Sequence, residues 1–151
     1  MPMNLRTASI AATVVLVAVI VALYLRHELL GANTVAVVLQ VAAVALMLWA
    51  RVTFGRRSFH AAANPTAGGL VTWGPYRYWR HPIYSAVLLF LWSGVLSHGL
   101  DPLAITLAVV GTLATIVRVL SEERLLRAEF SGSDGYDAYA RRTKRFVPFV
   151  L

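Results

Sequence analysis

The hydrophobic and polar positions divide the chain into four long apolar stretches and two polar ones. The apolar stretches run from Ala8 to Leu25, Thr34 to Ala50, Ile83 to Leu100 and Pro102 to Leu120. None carries the polar stripe, repeating at helical period, that marks a helix half-buried on a soluble core. A helix of about 17 to 19 residues rises roughly 26 to 29 Å, close to the hydrocarbon thickness of about 30 Å. The pattern therefore predicts an all-α integral membrane helix bundle with about four transmembrane helices. The third is the most diluted, by Ser93, Gly94, Ser97 and His98 in its second half.

Two connections are short. Arg26 to Asn33 joins the first pair of helices, with Gly31 and Asn33 as breakers, and Ser97 to Asp101 joins the second pair. The chain reads as one domain, residues 1–151, made of two hairpins and two long polar segments, 51–82 and 121–151. The tail after Glu123 alternates apolar and charged residues. It breaks at Ser131-Gly132-Ser133-Asp134-Gly135 and ends in Arg145-Phe146-Val147-Pro148-Phe149, a composition suited to a helical segment lying on the membrane surface. The first apolar run exceeds the roughly 7 to 15 residues of a signal-peptide core, and Tyr24, Leu25, Arg26 and His27 follow it rather than small residues. It is expected to be a retained helix.

Composition sharpens this picture. Hydrophobic residues make up 58% of the chain without Gly and charged residues 14%, against about 45–50% (Gly included) and about 25% in soluble domains. The formal charge is +7, but a nucleic-acid binder needs a basic face on a soluble body, and this chain has no such body. With four spans, the N-terminus, the middle segment and the tail share one side, and every basic residue except Arg26 falls there. The positive-inside bias then predicts cytoplasmic termini, with anionic lipid headgroups as further partners of the basic side. The absence of Cys excludes disulfides, a thiolate nucleophile and Cys-ligated metals.

Chemistry is expected in the two cytoplasmic segments. The first ends in Gly74-Pro75-Tyr76-Arg77-Tyr78-Trp79-Arg80-His81-Pro82-Ile83-Tyr84. Pro82 suits the first turn of the third helix and forces His81 into an extended conformation. The backbone N–H groups of Ile83 and Tyr84 then offer a helix N-terminus to an anion. An interfacial aromatic belt accounts for Trp73, Tyr78 and Trp79. The second cluster is Arg118, Glu122, Glu123 and Arg124. Arg118 lies inside an apolar run, where a charge marks a functional site by default; the alternative is a snorkelling arginine paired with Glu122 one turn on. Glu123 reads equally well as functional or structural.

Gly-Pro-Tyr-x-x-x-Arg-His-Pro-x-Tyr at Gly74 to Tyr84, then Glu-Glu-x-x-Leu at Glu122 to Leu126, then Tyr136, Tyr139, Arg145 and Pro148, resembles the isoprenylcysteine carboxyl methyltransferase family. These are integral membrane enzymes related to phospholipid methyltransferases. The resemblance covers the second half of the chain; the first two helices carry no signature beyond hydrophobicity. It implies methyl transfer from S-adenosylmethionine to a membrane-embedded acceptor, most often the carboxylate of a prenylated cysteine. It further implies cofactor contacts from Leu70, Val71, Tyr76, His81, Pro82, Ile83, Tyr84 and Glu122, and substrate binding by Arg118, so that Arg118 and Glu122 carry the chemistry. No metal is implied. Positioning and exclusion of water supply the acceleration in such a transfer. Two departures stand out: Ala86 replaces a Gly, and the stretch from Phe130 to Tyr136 is longer by one or two residues, which shifts the tail's register.

A small four-helix transporter is the competing class. It would place ionisable groups at mid-membrane, whereas here they gather at the cytoplasmic ends. Among enzymes, the alternatives are a phospholipid or other lipid amine methyltransferase and, more distantly, a sterol-reductase-like protein using a nicotinamide cofactor.

Overall fold

A computed structural model describes residues 4–55, 70–130 and 135–146. These form α1 (Leu5–Leu25), α2 (Thr34–Phe54), a 3-10 turn (Gly74–Arg77), α3 (Pro82–Ser97), α4 (Pro102–Glu129) and the short α5 (Tyr136–Arg142). Three of the four long helices start at a side-chain cap. Asn4 accepts from the N–H of Arg6, Asn33 from that of Ala36 at 3.0 Å, and Asp101 from that of Ala104 at 2.8 Å. The fourth, α3, starts on Pro82, where the missing N–H costs nothing.

The helices pack as two antiparallel pairs, α1 with α4 and α2 with α3. Small residues make the first pair close: Ala12, Ala104, Ala108, Gly111 and Ala114 meet Leu16, Val19 and Leu23. A Cβ at Gly111 would stand 3.2 Å from Val19. Ala86, where the motif has Gly, is 1% exposed. It lines an apolar cavity of about 180 Å³ with Ala43, Met47 and Phe90. The outward faces are apolar throughout, as at Val14, Val35 and Val41, which is the surface a helix presents to lipid.

A buried amide ties the core to a connection. Gln40 is buried on α2, accepts from the N–H of Gly31 at 2.9 Å, and donates to the carbonyls of Leu29 at 2.8 Å and Phe90 at 3.2 Å. It thereby fastens the α1–α2 connection onto α3. The approach is so close that a Cβ on Gly94 would lie 1.9 Å from the Leu29 carbonyl oxygen.

Several boundaries differ from those read in the sequence: α1 begins at Leu5 rather than Ala8, α2 runs to Phe54 rather than Ala50, α3 begins at Pro82 rather than Ile83, and the ends of α3 and α4 also move. The third helix stops at Ser97 rather than Leu100, because Gly99 takes a φ of 98° and ends the run. Its 16 residues rise about 24 Å, so three helices are long and apolar enough to cross a membrane and α3 is a shorter apolar one. The fourth continues nine residues past Leu120, to Glu129. Leu120 ends the apolar stretch, but Glu122, Glu123, Arg124, Leu125, Leu126 and Arg127 are good helix formers and carry the helix onward. At one end of the bundle, the start of α1, the end of α2, the start of α3, the extension of α4 and α5 come together. Among the described residues, the other end holds the two short connections, with Arg26 paired to Glu28 at 3.0 Å and to Asp101 at 3.1 Å.

Candidate active site at the polar end of the bundle

Gly74 opens the site. Its φ of 60° favours glycine, and a Cβ there would stand 2.6 Å from Thr53 Oγ1, so the chain can turn against the end of α2 only without a side chain. The turn buries Pro75 and Tyr76. Tyr76 packs on Phe54, with ring centroids 5.4 Å apart, and on Ala50, Val71 and Ile83. Tyr139 of α5 donates to the Tyr76 carbonyl at 2.7 Å, tying the tail to this turn. Burial pushes the Tyr76 phenol well above its ordinary pKa, and the neighbouring Glu122 carboxylate pushes it further.

His81 has the conformation that Pro82 imposes, φ −125° and ψ 56°, at the mouth of α3. It is held from two directions. Its N–H donates to the Arg145 carbonyl at 3.2 Å, and its Nε2 lies 3.2 Å from Glu123 Oε1. Arg80 reinforces the same seam, with its N–H on the Lys144 carbonyl at 2.7 Å, its Nη1 on the Ala140 carbonyl at 2.7 Å, and its Nε on Glu123 at 3.2 Å. Trp79 and Lys144 form a parallel bridge beside it.

Glu123 is the hub. Its side chain is 0% exposed, and Arg80, His81, Arg127 and Arg145 all converge on it, Arg145 in bidentate fashion at 3.0 and 2.9 Å. The carboxylate that sequence reasoning could not place is thus the one that locks the tail onto the Arg-His-Pro turn. Arg80, Arg127 and Arg145 are its cationic partners.

Glu122 faces a second network. Tyr84 donates to Glu122 Oε2 at 2.8 Å, and Arg118 Nε donates to the same phenolic oxygen at 2.6 Å. Arg118 also lies over the Tyr84 ring, 5.8 Å from its centroid, and its Nη1 donates to Ser9 Oγ and Thr13 Oγ1 on α1. The sequence set Arg118 and Glu122 one turn apart; Tyr84 bridges them. The rings of His81 and Tyr84 are 5.7 Å apart, so the two networks adjoin.

Of the residues singled out in sequence, Tyr84, Arg118 and Glu122 form one hydrogen-bonded chain, and Val71, Tyr76 and Ile83 form the apolar wall beside it. His81 and Pro82 stand at the junction, and Leu70 is half-buried at the edge. Trp73 and Tyr78 are exposed. Pro148 and the Ser131–Asp134 stretch, which holds the extra length of the tail, lie outside the described residues. Sequence reasoning missed Ser9 and Thr13. The available signal was their spacing of four on the face that continues through Ala12, Leu16, Val19 and Leu23.

This is a helical membrane protein in which Arg80, His81, Tyr84, Arg118, Glu122 and Glu123 meet in two adjoining networks at one end of the bundle. A family model described as phospholipid methyltransferase matches residues 29–133, most of the chain, and the chain belongs to that family. It is therefore a membrane methyltransferase, and the match takes in α2, α3, α4 and the motif blocks from Gly74 to Tyr84 and from Glu122 to Leu126, leaving outside α1, α5 and the tail positions Tyr136, Tyr139, Arg145 and Pro148. No curated protein and no solved structure matches the chain. The isoprenylcysteine enzymes that the motifs resemble belong to the same superfamily; the match supports the broader membership.

Proposed function

We propose that this protein transfers the methyl group of S-adenosylmethionine to an acceptor lipid that reaches the polar end of the bundle from the bilayer, and that Arg118 grips an anionic group of that acceptor. The observation that carries the reading is the chain Arg118, Tyr84, Glu122, which sets a guanidinium inside apolar surroundings one hydroxyl away from a carboxylate. When bound, the cofactor supplies an electrophilic sulfonium methyl. The residues suit such a group. Tyr76 and Tyr84 present aromatic faces compatible with a cation, Glu122 is a half-buried acceptor for ribose hydroxyls or an ammonium, and the N-terminus of α3 after His81 and Pro82 suits a carboxylate. Tyr136 Oη is buried with no hydrogen-bond partner among the described residues. Leu70, Val71 and Ile83 close the apolar side and exclude water.

On this reading Glu122 and His81 belong to the cofactor side and Arg118 to the acceptor side. Arg118 brings a fixed cationic charge with which a carboxylate can pair, which favours the carboxylate of an isoprenylcysteine-like lipid. The family match supports a second reading, an amine of a phospholipid headgroup, with Arg118 on the phosphodiester. Both termini are placed on the cytoplasmic side by the positive-inside bias.

Calorimetric titration of the purified protein with S-adenosylmethionine tests the donor. Glu122→Gln should weaken that affinity roughly tenfold or more, the scale of one bond to a charged group. Unchanged affinity removes Glu122 from the cofactor side. Methyl transfer to N-acetylated farnesylcysteine in micelles, set against transfer to phosphatidylethanolamine vesicles, separates the two acceptors.

A further inference from the structure

The helix α1 contributes to the site although it lies outside the stretch that matches the family. Its buried face is Ser9, Ala12, Leu16, Val19 and Leu23, apolar except at the end that meets Arg118. There Ser9 is 0% exposed, and Thr13 follows one turn later on the same face. Thr13 Oγ1 donates to the Ser9 carbonyl at 2.8 Å, which commits its single proton. Its lone pairs are consequently what Arg118 Nη1 meets, and Ser9 Oγ lies 3.2 Å from the same nitrogen. With Tyr84 on Nε, the guanidinium plane is held by α3 on one side and by α1 on the other.

We propose that Ser9 and Thr13 are positioning residues that aim Arg118 at the anionic group of the acceptor, a role that rests on the acceptor-side reading of Arg118. Neutral hydroxyls are the chemistry this task requires. They satisfy guanidinium N–H groups at a depth where unsatisfied ones are costly, and they do so without adding negative charge. A carboxylate at either position would form an ion pair and compete with the acceptor for the same cation. The hydroxyl pair therefore contributes to selectivity for an anionic acceptor, and it does so from the least signature-rich part of the chain.

The test compares Thr13→Val, which keeps shape and removes the acceptor oxygen, with Thr13→Ser, which restores it, and with Ser9→Ala, each alone and combined with Arg118→Ala. The acceptor probe is whichever of farnesylcysteine micelles or phosphatidylethanolamine vesicles the wild type methylates. Thr13→Val should lower kcat/KM for that probe roughly ten- to a hundredfold, the scale of one charge-assisted bond. Calorimetric affinity for S-adenosylmethionine should stay within twofold, and Thr13→Ser should recover most of the activity. On the Arg118→Ala background, Thr13→Val should add nothing, because its effect runs through the missing guanidinium. If Thr13→Val fails to fold, Ser9→Ala with Thr13→Ser carries the comparison. A large loss for Arg118→Ala with none for Thr13→Val or Ser9→Ala overturns this inference alone. An equal loss of cofactor affinity and activity in Thr13→Val, or a further loss on the Arg118→Ala background, also overturns it in favour of a packing role. Wild-type kinetics in Arg118→Ala, or methylation of neither probe, overturns the reading of Arg118 on which it rests.

Discussion

Adjacent glutamates with opposite tasks can be separated by one pair of substitutions. Glu123→Gln removes the charge at the hub and keeps its shape. Of its four partners, Arg80 and His81 are enclosed, with side chains 10% and 3% exposed, whereas Arg145 and Arg127 are 38% and 42% exposed. The outer two pairs are screened by solvent and are each worth at most about 1 kcal/mol. The inner pair dominates, because breaking a buried ion pair from one side leaves an uncompensated charge and costs about 3–5 kcal/mol. Glu122→Gln has no such consequence: the amide oxygen still accepts from Tyr84, and the expected stability change is below about 1 kcal/mol.

Thermal unfolding in detergent, followed by loss of helical signal, measures the first effect, and calorimetry with S-adenosylmethionine measures the second. Glu123→Gln should also expose the tail, since the Arg145 guanidinium holds it to Glu123 beside the Lys144 and Arg145 carbonyls that accept from Arg80 and His81. Limited proteolysis should then cut between α5 and the end of the chain at concentrations the wild type resists. The reasoning is refuted if Glu123→Gln unfolds with the wild type while Glu122→Gln is the destabilised variant, because that would put the structural carboxylate at the wrong position.

Three further outcomes are expected. Gly94→Ala should destabilise the α2–α3 pair by at least about 2 kcal/mol, since the new methyl would meet the Leu29 carbonyl at 1.9 Å and no flexible atom can yield there; wild-type thermal stability would show that the connection relaxes. The phenols of Tyr76, Tyr136 and Tyr139 all have pKa values raised above 10.0, chiefly by burial. Raised folded-state values mean that their contribution to stability is intact below the ordinary value and lost as pH rises past it, so unfolding should set in above about pH 10 with phenolate absorbance appearing in step, and phenolate formation in the folded protein at pH 10 would contradict their burial. Asn33→Cys, the chain having no other Cys, should react with an impermeant thiol reagent only from the side opposite the polar end; labelling from the cytoplasmic face alone would reverse the proposed topology.

What was legible in the sequence and what was not follows from the range of each force. Hydrophobic length and the caps Asn33 and Asp101 act within a few residues, so the helices and both short connections could be read from the chain. The largest exception was the end of α4. A membrane boundary and a helix boundary are different events, and Leu120 marks only the first; the charged residues after it leave the apolar stretch without leaving the helix. Likewise Gln40 gave no periodic signal, because a single amide serving three backbone groups, two in the α1–α2 connection and one in α3, is a tertiary fact.

The site divides along the same line. His81 before Pro82 is a local constraint of backbone sterics, and its extended conformation followed from the dipeptide alone. Which of Glu122 and Glu123 it meets is not local. On a helix, neighbouring residues point about 100° apart, so one glutamate turns toward Arg80, His81 and the tail while the other turns toward Tyr84 on α3. The choice depends on how α4 is rotated against α1. That rotation is set by Ala104, Ala108, Gly111 and Ala114 on one face of α4, the small residues that let Leu16, Val19 and Leu23 approach. The same rotation brings Arg118, one turn beyond Ala114, against Ser9 and Thr13. A stripe of small residues well removed from the polar end thus decides which carboxylate locks the tail and which remains beside Tyr84, and a bulky substitution at Gly111 should disturb both networks together.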